Sequence, residues 1–247
     1  MVDRKSLRLA AGLLLLGEVV FIAAGLLHPA REPANSHAAV FAEYAANASW
    51  TAVHLGQFAG SALVLAGLIA LFFALTARSW GATWLARFAA VSAVVTLGLT
   101  AVLQAVDGVA LKHAVDALAA APASEQPARL ASAEVIRWLE WATRSYQYLM
   151  LGITFVLFGA VIAWAGGVPR FLGYLAVLVG LAHLGQAWVV GSEGFSSANS
   201  IPNLAGLVLQ LVWIVWVTVV AVRIRESAEA PAEPSVRVPS IVVSSAP

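Results

Sequence analysis

The sequence predicts an all-α fold: a polytopic membrane helix bundle of six transmembrane helices under an extracytoplasmic helical cap. Three observations predict it. Of 247 residues, 61% are hydrophobic and only 11% are charged, whereas a soluble domain carries about 25% charged residues. Too few charges remain to coat a surface that faces water, and mean hydropathy is +0.85. Apolar stretches near the roughly 20 residues that cross a bilayer as a helix recur along the chain. An open sheet could not satisfy its backbone there.

The six spans fall at residues 8–28, 51–75, 83–106, 145–165, 169–190 and 202–223. Arg4, Lys5 and Arg8 precede the first, as they would a signal peptide. The apolar run from Leu9 to Leu27 is longer than a signal h-region of about 7–15 residues and contains Glu18, so it reads as a retained helix. Pro29 closes the first span. Pro169 suits the first turn of the fifth, where its missing N–H is harmless, and Pro202 opens the sixth. Trp50, Trp80, Trp84, Trp141, Trp164 and Trp188 stand near the expected interfaces, as an aromatic belt does.

Residues 107–143 form an outer helical segment. The third span continues as a helix from Asp107 to Ala119, with Lys112 and Asp116 at i,i+4. Pro122 and Pro127 break it. A second amphipathic helix begins near Arg129 and enters the fourth span, carrying Glu140 and Arg144 at i,i+4. Residues 1–225 thus make the membrane domain. Residues 226–247, rich in Pro, Ala, Ser and Glu without helical periodicity, read as a disordered cytoplasmic tail.

Orientation follows from lysine and arginine placement. With the N-terminus inside, Arg4, Lys5, Arg8, Arg78, Arg87, Arg170, Arg223, Arg225 and Arg237 lie on the inner side. Arg31, Lys112, Arg129, Arg137 and Arg144 lie outside. The bias predicts an inner (cytoplasmic) membrane protein with both termini cytoplasmic.

The polar residues inside these spans are not scattered. Ser92, Thr96, Thr100, Gln104 and Asp107 recur at helical spacing in the third span. His54, Gln57 and Ser61 share a face of the second, and Arg137, Glu140, Arg144, Gln147, Leu151 and Thr154 follow a 3-4 spacing into the fourth, polar except at Leu151. His183 and Gln186 lie in the fifth span, Asn203 and Gln210 in the sixth. All but the inner members of the stripes fall in the outer half, joined by His28. Glu18 alone sits near mid-depth, as a neutral hydrogen-bonded acid or as the partner of a cation. Polar groups in lipid are costly, so they face the bundle interior or a wet cavity. Ser61, Ser92, Thr96 and Thr100 read as helix-to-helix hydrogen bonding. His54, Gln57, Gln104, Asp107, Arg144, Gln147, His183 and Gln186 are the candidate ligand-binding set.

Composition excludes several functions. Net charge is +1 with no basic stripe, so nucleic acid is not a partner. There are no cysteines, which removes disulfides, thiol chemistry, iron–sulfur clusters and cysteine zinc sites. No nucleophile elbow, phosphate loop, dinucleotide fingerprint or kinase motif occurs, so an enzyme is not favoured. His54–Leu55–Gly56–Gln57 recurs as His183–Leu184–Gly185–Gln186. Both copies fall on the outer side, which argues against an inverted repeat. His54 and His183 are the candidates if a metal or an axially ligated haem is held, though no cofactor is favoured.

At Asp107–Gly108–Val109–Ala110–Leu111–Lys112 and Val168–Pro169–Arg170–Phe171–Leu172–Gly173 the chain resembles a group of uncharacterised bacterial six-helix integral membrane proteins of unknown function. The resemblance covers about residues 8–225. It implies the topology and carries over no activity or site residue. The resulting expectation is an outward-facing polar pocket that binds or moves a small polar solute or ion, in contact with lipid and with no protein partner indicated. The alternatives are a haem- or metal-dependent redox protein and a structural or assembly subunit.

Overall fold

A computed structural model describes residues 3–75, 80–165 and 167–224, without the side chains of Trp80 and Ala165. The expected tail, 226–247, lies outside the described residues, as do Arg78, Arg225 and Arg237. The elements are α1 (Arg4–Gly25), α2 (His37–Ala45), α3 (Trp50–Ala74), α4 (Trp80–Ala105), a π-helical turn (Val106–Leu111), α5 (Lys112–Ala119), α6 (Gln126–Ala165), α7 (Arg170–Glu193), a 3-10 turn (Ser197–Asn199) and α8 (Ser200–Arg223). No strand occurs among the described residues. Six helices are long and apolar enough to cross a membrane, so the chain is a multi-pass membrane helix bundle.

The six long helices close a ring in which each packs on two neighbours, in the order α1, α3, α4, α6, α7, α8 and back to α1. Backbones meet most closely within two pairs, α1 with α3 and α6 with α7. A Cβ on Gly17 would stand 2.6 Å from the Val64 nitrogen, and one on Gly60 would stand 2.5 Å from that of Phe21. Gly159 and Gly173 play the same part between α6 and α7, each within 2.6 Å of the other's carbonyl. Lipid gives no hydrophobic drive for helix association, so close backbone approach through small residues supplies it. Gly25 differs from Gly17, Gly60 and Gly67: nothing lies within 4 Å of its missing Cβ, and it borders a cavity instead.

One half of the ring is solid. Leu14, Leu68, Phe155, Phe158, Trp213 and Ile214 are fully buried along its axis. The Trp213 indole N–H donates to the Leu172 carbonyl at 3.0 Å. The Arg8 guanidinium donates to the Ala221 carbonyl at this end, so both chain ends of the described bundle share one face.

The other half widens under a cap. The span containing α4, the π turn and α5 runs 39 residues, as does most of α6. Such a helix is about 58 Å long, well beyond a hydrocarbon core of about 30 Å. Pro127 is the second residue of α6 and starts this helix; it does not lie in the break before it. The cap has its own small core of Val40, Phe41, Tyr44, Trp50, Leu111 and Val115. Helix α2 was not expected from the sequence. Nine residues are too few for a span, and the burial of Phe41 and Tyr44 against α5 and α6 depends on their partners. Trp50 also departs from the expected belt: it is fully buried, whereas Trp188 is 78% exposed on the lipid-facing surface.

Candidate functional site

The site starts from an irregularity in a helix. At Val106–Leu111 the chain makes a π turn, which leaves carbonyls without their usual partners. Trp50 Nε1–H donates to the Asp107 carbonyl at 2.9 Å, and the Thr51 hydroxyl donates to that of Gly108 at 3.1 Å. A Cβ on Gly108 would lie 2.6 Å from that of His54, so glycine is what lets α3 approach. These contacts point the Asp107 carboxylate into the ring.

Two Asp107 neighbours are charged or chargeable. Arg144 donates to Oδ2 at 2.9 Å, and His54 Nε2 lies 3.1 Å from the same oxygen. His54 Nδ1–H donates to the Trp50 carbonyl at 2.8 Å, which fixes the ring. Arg144 also faces Glu140 at 3.7 Å, and Arg137 donates to Glu140 at 2.5 Å. Arg137 continues to the Ala34 carbonyl at 3.0 Å. The guanidinium groups of Arg137 and Arg144 lie over the Phe195 ring at 4.9 and 5.5 Å. Two arginines and two carboxylates thus balance one another. Asp107 Oδ1 and Gln104 Oε1 remain buried without a hydrogen-bond partner.

This network walls an upper chamber of about 610 Å³ between the cap and the bundle. His28, three residues past the end of α1, stands in its wall. Burial lowers the His28 pKa from its ordinary value, an effect the nearby Asp107 charge partly offsets. Burial pushes the Tyr44 phenol up to about 12. A strap, residues 26–36, crosses the chamber. The Asn35 amide donates to the Glu193 carbonyl at 2.9 Å and accepts from the Phe195 N–H at 2.9 Å. Gly194 between them has φ +66°, and a Cβ there would meet the Trp141 ring at 2.6 Å, so the turn requires glycine.

A lower chamber of about 410 Å³ reaches down to Glu18. Gly25, Arg144, Tyr148 and Asn203 border both chambers. At the floor, Gln210 donates to Glu18 Oε2 at 2.6 Å, and its carbonyl oxygen meets His183 Nε2 at 3.1 Å. Glu18 is 1% exposed, and its Oε1 has no hydrogen-bond partner.

The sequence-derived candidates therefore divide. Gln57 and Asp107 line the upper chamber. Gln104, Gln147, His183, Gln186 and Glu18 line the lower one, and Arg144 lines both. His54 is on neither wall. It lies behind Asp107, packed on Trp50 and His28, with Nε2 3.1 Å from the carboxylate. His183 packs on Tyr148 and Phe155. With His54 engaged at Nδ1 and facing Asp107 at Nε2, the two histidines do not form an open axial pair. No group of three metal-ligating side chains occurs among the described residues. Ser92, Thr96 and Thr154 join α4 to α6 at 3.0 and 3.1 Å, which is the helix-to-helix bonding read from the stripe.

Sequence reasoning did not assign Tyr44, Tyr148 or Phe195 to the site, and it listed Arg137 and Glu140 only as part of a stripe. The 3-4 spacing of Arg137, Glu140 and Arg144 was the available signal. The aromatic residues had none. Fold and site together define a polytopic membrane helix bundle with a polar cavity open toward one end. No family model, no curated protein and no solved structure matches the chain.

Proposed function

We propose that this protein sits in the cytoplasmic (inner) membrane with both termini inside and takes a small polar solute or ion into an outward-facing pocket. The observation that carries this reading is the cavity itself. It runs from the cap to Glu18, is lined by buried charged and amide groups with unsatisfied atoms, and ends on a packed apolar core. Buried polar groups that only glue helices pair with one another, as Ser92, Thr96 and Thr154 do. The groups around the chambers leave carboxylate and amide oxygens free for water or a ligand. The orientation rests on basic residues: Arg8, Arg87 and Arg170 belong to the closed end. A redox role would need a cofactor that the separated histidines do not favour.

Cysteine labelling tests the reading without background, since the chain has no cysteine. In intact cells, Gln57→Cys and Asn203→Cys should react with a membrane-impermeant methanethiosulfonate reagent added outside. Leu68→Cys should not. Equal protection of Gln57→Cys and Leu68→Cys would remove the open pocket. Reaction only in inside-out vesicles would reverse the orientation.

A further inference from the structure

Of the three buried acids of the cavity, Glu18, Asp107 and Glu140, Glu18 has no cationic neighbour among the described residues. Asp107 and Glu140 are each met by arginine, whereas Glu18 has only the Gln210 amide on one oxygen. Its other oxygen is buried and unpartnered at the floor of the lower chamber. A carboxylate so placed must be balanced, by a proton or by a positive charge. Between its amide and other polar groups the chamber also presents apolar side chains, with Phe21, Ile22, Leu65, Leu103 and Leu151 in its wall.

Its mouth has a second side. Leu26, 81% exposed, and Leu207, 38% exposed, both border the lower chamber as well as the bundle surface. Leu26 lies just past α1 and Leu207 on α8, at the seam where these two helices adjoin. Hydrogen bonds from Arg8 to Ala221 and from Gln210 to Glu18 join these two helices. Among the described residues, no hydrogen bond joins α1 and α8 on the cap side of Glu18.

We infer that the lower chamber binds an apolar cation, an amine or quaternary ammonium with a hydrocarbon ring or chain, whose charge takes the place of the Glu18 proton. This rests on the pocket reading above and names its ligand class. Binding breaks the Glu18 O–H bond. The proton leaves to water as the cation enters, one for one, and the carboxylate stays behind as its counter-ion. The titratable groups facing Glu18 are His183 on α7, through Gln210, and Arg144 and Tyr148 on α6 above it. α3 presents Ser61 and α4 presents Gln104, neither of which titrates.

The test uses the full chain in nanodiscs and benzyltrimethylammonium, a permanent cation with no proton of its own. Neopentylbenzene is the neutral isostere. Expected are saturable binding of the cation, release of about one proton per cation into weakly buffered solution, and affinity that tightens by up to about tenfold per pH unit while Glu18 is protonated. Neopentylbenzene should release none. Glu18→Gln, which keeps the shape and the Gln210 contact, should remove the proton release and weaken binding at least tenfold. The proton count is read on the unaltered protein, so it stands even if Glu18→Gln fails to fold. Three results would overturn the inference: no saturable cation binding, binding without proton release, or release unchanged in Glu18→Gln. None of these touches the cysteine labelling of Gln57, on which the pocket itself depends.

Discussion

Arg144 reaches from α6 to Asp107 on the π turn at 2.9 Å, and this ion pair stands where the two chambers join. The guanidinium also faces Glu140, so a single side chain bridges two carboxylates that would otherwise repel. Removing one partner of a buried pair leaves a bare charge and costs about 3–5 kcal/mol. Arg144→Gln should lower the thermal midpoint in detergent strongly, and Asp107→Asn should do so by less, because it leaves Arg144 with Glu140. The double variant should be less damaging than the sum, with a coupling of about 0.5–3 kcal/mol. Additive effects would show that the pair is not a unit.

Gly108 and Gly98 form a matched pair of substitutions. A methyl at Gly108 meets the His54 Cβ at 2.6 Å, while nothing lies within 4 Å of one at Gly98. Gly108→Ala should destabilise by about 1–3 kcal/mol through overpacking. Gly98→Ala should be neutral or stabilising by up to about 1 kcal/mol. Denaturation midpoints in one detergent decide it, and equal effects would contradict the packing described.

Asn35 should control the strap and not the bundle. Its amide ties residues 26–36 to the α7–α8 turn by two bonds. Asn35→Ala should speed amide hydrogen exchange in 29–36 while leaving exchange in α3 and α7 unchanged. The loss of global stability should stay near 1 kcal/mol, as for ordinary hydrogen bonds. Exchange spreading into the long helices would mean that the strap is part of the core.

His28 gives the fold a dependence on pH whose sign can be worked out. Its pKa is lowered in the folded state, chiefly by burial. The unfolded chain therefore binds more protons, and stability rises with pH. The contribution is fully present above the ordinary histidine value, about 6.5, and is lost as pH falls through the folded one. Unfolding midpoints should fall between pH 7 and pH 5, and His28→Gln should flatten that fall. An unchanged profile in the variant would assign the effect to other groups.

The long spans were legible because a bilayer imposes length and apolarity on any helix that crosses it. The polar line ending at Gln104 and Asp107 was legible because period 3.6 places its members on one face. What decides the site was not. Nothing local marks the π turn that aims Asp107, and its stabilising bonds come from Trp50 and Thr51, on another helix. The same holds for Glu18, whose partner Gln210 is 192 positions away. His54 resembled a ligand residue because its spacing with Gln57 is helical, but period alone does not tell which side of a carboxylate a ring occupies. Helix α2 escaped notice because its burial comes entirely from cap partners.

The solid half of the ring sets the kinetics open to this molecule. The cavity ends where Phe155, Phe158 and Trp213 fill the axis, with the Trp213 indole hydrogen-bonded to Leu172. Among the described residues, these buried side chains occupy the path that a solute would take below the cavity. Any solute that crosses must wait for α7 and α8 to repack around that tryptophan. Passage would then be counted in discrete turnovers at the pace of a conformational cycle, and single-channel recordings of the purified protein should show no unitary currents.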